Sequence, residues 1–395
     1  MSHVSLLSQL PPTPKTQALK ELWKEIQSLL LTTPECSCEL YVSGSYRLGV
    51  SDETSDIDTV VVASHHCGSR TELLIKIHQH FENFPHLTEL QLIDQARIPL
   101  VSFTYKGTEF DVALACVVGS AHESIYHVKG IDASNELSLG GPRHTEFILQ
   151  HAINHEVFAQ VLKLVRQWAK NRQIYGAKFG FLGGVSWAIM ISFICHRDCS
   201  SVVNVLRLFF GMYSSWNWKR QPVTLSDLSN DHFPQHFSMA IMTPVHPVIN
   251  SSQTVNQFSV DLFREEFSRA VTMIRENKPW DEIVTPTTRK TFLRRWPYRL
   301  TSTYDDTSDN GIVAAKWLKL SYIMSKYPYH LKSVLWPHAE SQEGKIKLYM
   351  CADLINQPVE KGSVVNLSHA VREWLDSFPS KIDIQLNIKK VKSKK

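Results

Sequence analysis

Two apolar rhythms alternate along the chain, and their order divides it into regions. After the prolines at positions 11, 12 and 14, leucines, a tryptophan and an isoleucine recur at three- and four-residue spacings, which predicts a helix over Thr16–Leu31. The rhythm then shortens. Thr59-Val60-Val61-Val62-Ala63 is a β-branched run that reads as a buried strand. Ile98–Tyr105 and Glu109–Leu114 read as the two arms of a hairpin turning at Lys106-Gly107-Thr108. The helical period returns over Glu156–Arg172, with Val157, Phe158, Val161, Leu162, Val165, Trp168 and Ala169 on one stripe. Beyond Pro286 the pattern changes again: Tyr298–Tyr304 and Lys345–Met350 read as strands and Ala370–Phe378 as a helix.

These rhythms predict an α/β unit with a mixed sheet over residues 41–150, a helical central region over 151–285 and an α+β module over 286–395. Residues 1–40 are expected to pack their helix on the central region. Gly140, Gly141 and Pro142 read as the link between the α/β unit and the helices. At 395 residues with 43% hydrophobic positions, the chain is long enough for two or three cores.

Chemistry concentrates first in Gly44-Ser45-Tyr46-Arg47-Leu48-Gly49 and the following Asp56-Ile57-Asp58. Side chains two apart on a strand share a face, so Asp56 and Asp58 stand together while Ile57 turns to the core. Paired carboxylates repel unless a cation lies between them, and hard oxygen ligands suit Mg²⁺ or Mn²⁺ with phosphates completing the shell. Gly44 lets backbone approach a ligand, and Ser45 adds a hydroxyl at a turn into a short helix. A nucleoside triphosphate is the expected substrate. Asp111, set among apolar neighbours in the second hairpin arm, supplies a third carboxylate, with Glu109 a weaker candidate on the same face.

The helix over 156–172 carries Lys163, Arg166 and Lys170 at three- and four-residue spacing, a row able to converge on one anion or to form a solvated basic face. Tyr175 follows, and Gly183-Gly184 bares the backbone before Val185.

Composition narrows the classes. A net charge of +4 makes the chain only mildly basic, so affinity for nucleic acid has to come from local patches. No apolar run reaches the roughly 18 residues of a membrane span, and Met1-Ser2-His3-Val4 does not begin a secretory signal. Seven cysteines without such a signal predict free thiols, and neither Cys36-Ser37-Cys38 nor Cys195, His196 and Cys199 has zinc-site spacing. Near the end, Arg289, Lys290, Arg294 and Arg295 with Trp296 and Tyr298 form a basic and aromatic cluster suited to RNA. The closing Lys389, Lys390, Lys392, Lys394 and Lys395 read as an RNA contact, a nuclear signal or a solvated tail.

Taken in order, these phrases resemble the nucleotidyltransferase superfamily and, within it, the eukaryotic nuclear-type poly(A) polymerases. Gly44-Ser45, Asp56, Asp58 and Asp111 carry the wider likeness. Trp168–Tyr175, Gly180–Ala188 and Met242-Thr243-Pro244-Val245-His246-Pro247 carry the narrower one, over residues 40–270 or so. The resemblance implies a template-independent transfer of AMP from ATP to an RNA 3′-hydroxyl with two metal ions held by the three aspartates. It further implies nucleotide contacts at Gly44, Ser45, Arg166, Lys170, Tyr175, Gly184, Val185 and Ser252, while the basic and aromatic cluster itself points to RNA contacts at Arg294 and Arg295. A nuclear, monomeric enzyme working with cleavage and polyadenylation factors, with a C-terminal RNA-recognition-like domain, is the expectation. No long Ser/Thr-rich extension follows that domain, so a compact catalytic form is expected.

Three positions depart from the family pattern: Arg166 replaces a typical lysine, Ala177 an asparagine, and Ser43 an aromatic residue. Retained catalysis with looser ATP selection is expected from them. A terminal uridylyltransferase, an enzyme making short signalling oligonucleotides and a non-enzymatic RNA-binding subunit remain open.

Overall fold

The computed structural model describes residues 7, 10–53, 55–123, 125–226, 237–306, 310–326, 331–354, 366–378 and 383–390. The chain begins with α1 (Pro14–Leu30), whose Thr13 cap accepts the Thr16 N–H. A mixed sheet follows. It is built from β1 (Cys38–Val42), β2 (Ile57–Ser64), β3 (Leu87–Ile93), β4 (Leu100–Tyr105), β5 (Thr108–Val118) and β6 (Lys129–Gly130), with the short α2 (Gly44–Arg47) and α3 (Arg70–Phe81) between them.

The sheet runs β1-β2-β5-β4-β3, with β6 pairing β5. β2 and β5 are parallel, and their register sets Asp58 beside Asp111. β4 and β5 form the expected hairpin, with Ser102 opposite Asp111.

Two apolar layers close this sheet. One face packs Leu40, Val42, Val61, Phe103, Phe110 and Leu114 against α3 and against Leu19, Leu22, Trp23, Ile26 and Leu30 of α1. The first helix therefore packs on this sheet and not on the central helices as expected: its stripe matches the apolar face that β1, β2 and β5 leave open. The other face buries Val60, Val62, Ala113, Ala115 and Leu139 beneath α4 (Ala133–His151).

Helix α4 also corrects the expected link, because Gly140, Gly141 and Pro142 lie inside one continuous helix. Proline removes one helical donor there. Tertiary packing supplies the reason for small residues: a Cβ at Gly140 would stand 3.2 Å from His144 Nε2 and 3.3 Å from Pro247 Cδ.

The central region consists of α5 (His155–Asn171), α6 (Gly184–Cys195), α7 (Val202–Ser215), α8 (Gln257–Arg275) and the short α9 (Trp280–Ile283) and α10 (Arg289–Leu293). Its core holds Trp168, Trp187, Phe209, Phe210, Phe263 and Phe267, with Trp168 meeting Phe210 edge-on at 4.9 Å.

The last module runs β7 (Tyr298–Asp305), α11 (Asn310–Ser325), β8 (Leu331–Leu335), β9 (Glu340–Gln342), β10 (Lys345–Leu354), α12 (Ser368–Leu375) and β11 (Gln385–Lys390). Its sheet order is β11-β7-β10-β8, so β10 lies between the two strands that α11 connects, the split β-α-β arrangement of ferredoxin-like modules. One face packs on α11 and α12 through Leu300, Leu348, Trp317 and Trp374. On the other, Val334, Tyr349 and Cys351 join the central core. All seven cysteines are free thiols. Among the described residues no helix is long and apolar enough to cross a membrane.

Candidate active site

The site begins where β1 ends. Gly44 opens α2 with φ +62°, the left-handed region, and its Cα faces Asp58 so closely that a Cβ would overlap Asp58 Oδ2 and stand 2.9 Å from Cγ. The Gly44 N–H donates to Thr145 Oγ1 at 3.3 Å, which ties the cradle to α4. Arg47 at the other end of α2 pairs with Glu146 of the same helix, donating to Oε2 at 2.9 Å. The Ser45 hydroxyl has no protein partner among the described residues.

Asp56 ends the loop before β2, Asp58 is the second residue of β2, and Asp111 lies on β5. One carboxylate oxygen from each of the three lies within 4.8 Å of the others. Among the described residues this is the one group of three or more acidic, histidine or cysteine side chains able to share a cation. Its electrostatics fit that role. Burial, then Asp56 and Asp111, push the Asp58 carboxyl up to about 6. Burial raises Asp111 as well, against the Ser102 hydroxyl that donates to it and alongside the Asp56 charge. Carboxylates held this close are strained without a cation and matched to a divalent one. Glu109 is exposed and stands outside the group.

A cavity of about 320 Å³ joins the acidic group to the helices. Gly44, Ser45, Asp56, Asp58, Arg166, Tyr175, Gly184 and Val185 line it, together with residues no local pattern singles out, Thr145 among them. Arg166 on α5 donates from Nη1 to the Val50 carbonyl at 2.7 Å, and its buried Nε has no partner among the described residues. Such an orphan donor beside a cavity suits an anion. Lys170 lines the adjoining cavity of about 300 Å³ with Lys163 and Arg166, and its Nζ lies 3.6 Å from Asp52. The Tyr175 hydroxyl sits over Gly184, 3.2 Å from where a Cβ would be.

Some expected contacts fall elsewhere. Ser252 is buried, with its hydroxyl on the Met239 carbonyl at 3.0 Å and Asn250 Oδ1 at 2.8 Å, so it supports the loop between α7 and α8 and does not line the cavity. Arg295 donates from Nη2 to the buried Glu266 at 2.6 Å, which makes it part of an ion cluster. Arg289 pairs with Glu340, and Trp296 packs edge-on against Phe258 and Phe292, so the expected basic and aromatic cluster is dispersed. Lys290 and Arg294 remain exposed. Lys389 and Lys390 are exposed on β11, while Lys392, Lys394 and Lys395 lie outside the described residues. Ser43 is buried against Gly141, and Ala177 is exposed outside the cavity.

Comparison with known proteins agrees with this architecture. Residues 157–286 match the model of the poly(A) polymerase central domain. Residues 3–121 match the central palm domain of mitochondrial-like poly(A) RNA polymerases. A poly(A) polymerase of Dictyostelium discoideum is 30% identical over 263 residues, covering 62% of this chain and 32% of that protein. Nuclear poly(A) polymerase 2 of Arabidopsis thaliana is 28% identical over 263 residues, covering 61% and 32%. Poly(A) polymerase PAPalpha of Candida albicans is 28% identical over 268 residues, covering 62% and 48%. The matched part thus spans about a third to a half of these relatives. Among solved structures, the Cid1 RNA terminal uridylyl transferase superposes with a TM-score of 0.53 at 15% identity, over 72% of this chain and 96% of that one. That likeness concerns the fold alone, a mixed sheet with its helical partner. Over residues 3–121 and 157–286 the chain is thus similar to poly(A) polymerases, nuclear ones among them.

Proposed function

We propose that this chain is a template-independent RNA adenylyltransferase, adding AMP from ATP to an RNA 3′-hydroxyl and releasing pyrophosphate. The observation that carries the reading is the convergence of Asp56, Asp58 and Asp111, the first two lining a cavity that Arg166 of α5 also lines. Asp56, Asp58 and Asp111 would hold two Mg²⁺ or Mn²⁺ ions. When bound, such ions lower the pKa of an attacking hydroxyl and stabilise charge on the phosphates.

The chain's own groups do the rest. The Ser45 hydroxyl and the backbone at Gly44 receive the distal phosphates, while Arg166 and Lys170 balance charge on the leaving pyrophosphate. Tyr175, Gly184 and Val185 flank the nucleoside, with the bare Gly184 backbone making room for it. A bond forms between the RNA 3′-oxygen and the α-phosphorus as the bond from that phosphorus to the bridging oxygen breaks. The cleft between sheet and helices holds ATP and RNA side by side. The names of the Arabidopsis relatives support a nuclear site of action, and we propose that it lies at mRNA 3′ ends beside cleavage and polyadenylation factors.

Incubation with an unstructured RNA primer, Mg²⁺ and each nucleoside triphosphate separately tests reaction class and base choice together. Extension with ATP is expected, with the other nucleotides used as well because Ser43, Arg166 and Ala177 depart from the family pattern; extension with ATP alone would refute the looser selection. Asp111→Ala should abolish extension while leaving the circular dichroism spectrum unchanged. Full activity in that variant would refute the acidic site.

A further inference from the structure

A second groove, of about 690 Å³, opens between residues 237–256 of the central region and helix α11 of the last module. Its wall on α11 carries Lys319 and Tyr322, three residues apart and both exposed, Tyr322 at 61%. Lys326, one turn on, sits over the Tyr322 ring at 4.2 Å. The opposite wall offers Gln253 and Thr254, exposed and without protein partners for their side chains among the described residues. Among the described residues no carboxylate lines the groove.

The groove adjoins the nucleotide cavity through one short stretch of chain. Gly180 packs so that a Cβ there would stand 3.4 Å from Leu318 Cδ1 and 3.5 Å from the Thr254 carbonyl. Residues 175–185 thus run from this groove to Tyr175, Gly184 and Val185 in the cavity.

We infer that this groove binds single-stranded RNA upstream of the 3′ end, stacking a base on Tyr322 and placing a phosphate against Lys319. The chemistry separates RNA from other occupants. Lys319, with no carboxylate among the described lining residues, suits a polyanion, the exposed Tyr322 ring offers a base the face opposite Lys326, and neutral amide and hydroxyl groups meet base edges. A polypeptide would call for a more apolar lining than Phe237, Val255 and Leu318 provide among seven polar residues and one tyrosine. The inference rests on the adenylyltransferase reading only for the direction in which the RNA runs.

The test compares the full chain with Tyr322→Ala, Lys319→Ala and the double variant on two primers, a trinucleotide and an oligo(A) of about 20 nucleotides. The double variant should raise KM for the long primer about ten-fold or more while leaving KM for ATP and for the trinucleotide unchanged. Tyr322→Trp should keep wild-type affinity. Binding of the labelled long primer, followed by fluorescence anisotropy without ATP, should weaken by the same factor, and this readout stands even if wild type extends nothing. Unchanged binding of the long primer in the double variant overturns the inference, as does equal loss on both primers. Failure of the wild type to extend either primer would instead count against the proposed reaction.

Discussion

Gly44→Ala is the sharpest test of how the acidic site is built. At φ +62° an alanine pays a left-handed penalty of roughly 1–2 kcal/mol. That strain is shared by Gly49, at φ +71°, where a Cβ would meet nothing within 4 Å. The difference between the two sites is Asp58. A Cβ on residue 44 overlaps Asp58 Oδ2, and Cγ at 2.9 Å has to retreat about half an ångström to reach ordinary contact near 3.4 Å. The carboxylate oxygen moves further, out of the group it shares with Asp56 and Asp111. Displacements on the order of 1 Å at a reacting centre cost about 10²-fold in rate. Both variants should therefore lose similar stability in urea, while Gly44→Ala alone loses Mn²⁺ affinity by calorimetry and extension activity by about two orders of magnitude. Equal Mn²⁺ affinity in the two variants would refute the claim that Gly44 exists to make room for Asp58.

Two further outcomes follow from burial and charge. The Asp58 carboxyl is held up at about 6, above its unfolded value, so its contribution to stability is present at low pH and is lost as pH rises through 6. In metal-free protein Asp58→Asn should thus be more stable than wild type at pH 7.5, by at most about 3 kcal/mol, with the gap closing near pH 4; thermal melts with a chelator would show it, and added Mg²⁺ should stabilise wild type alone. A gap that widens toward low pH would reverse the argument. Glu266 is 1% exposed and accepts from Arg172 Nε at 2.7 Å, Arg269 Nε at 3.1 Å and Arg295 Nη2 at 2.6 Å. Glu266→Gln leaves those guanidinium groups without their counter-charge and should cost roughly 3–5 kcal/mol in urea unfolding, whereas a loss below about 1 kcal/mol would mean solvent already screens the cluster.

What could be read from the chain beforehand depended on range. Asp56 and Asp58 are legible because the period of two is local, and the stripe of α5 because its period is. That Asp58 stands beside Asp111 is a parallel pairing across α3, β3 and β4, which no local pattern encodes. A stripe announces a buried face but not what covers it, and so α1 was expected on the wrong neighbour. Gly140-Gly141-Pro142 breaks helices locally, yet packing against Pro247 and His144 holds α4 continuous. Arg295 looked available for RNA because its partner, Glu266, lies 29 residues earlier on another helix. Thr145 had no signal at all, since an ordinary helical threonine becomes a cradle residue only when Gly44 arrives beside it.

The placement of α1 explains how the phosphate side of the cavity keeps its shape. Lys15 on its first turn donates to the carbonyls of Asp52 at 2.9 Å, Glu53 at 3.1 Å and Ser55 at 2.7 Å, bracing the loop that ends at Asp56. One turn away, the Thr13 and Thr16 hydroxyls meet Tyr46 Oη at 2.7 and 2.6 Å, anchoring α2 and with it Gly44 and Ser45. Arg166 holds the same loop from the opposite side through Val50. Gly44, Ser45 and Asp56 would otherwise sit on a turn and a loop, the least rigid elements a site can be built on. Clamped between α1 and α5, they gain the rigidity of two helices, and the clamp ties the helical wall of the cavity to its acidic mouth. The first helix belongs to the sheet because the site needs it there.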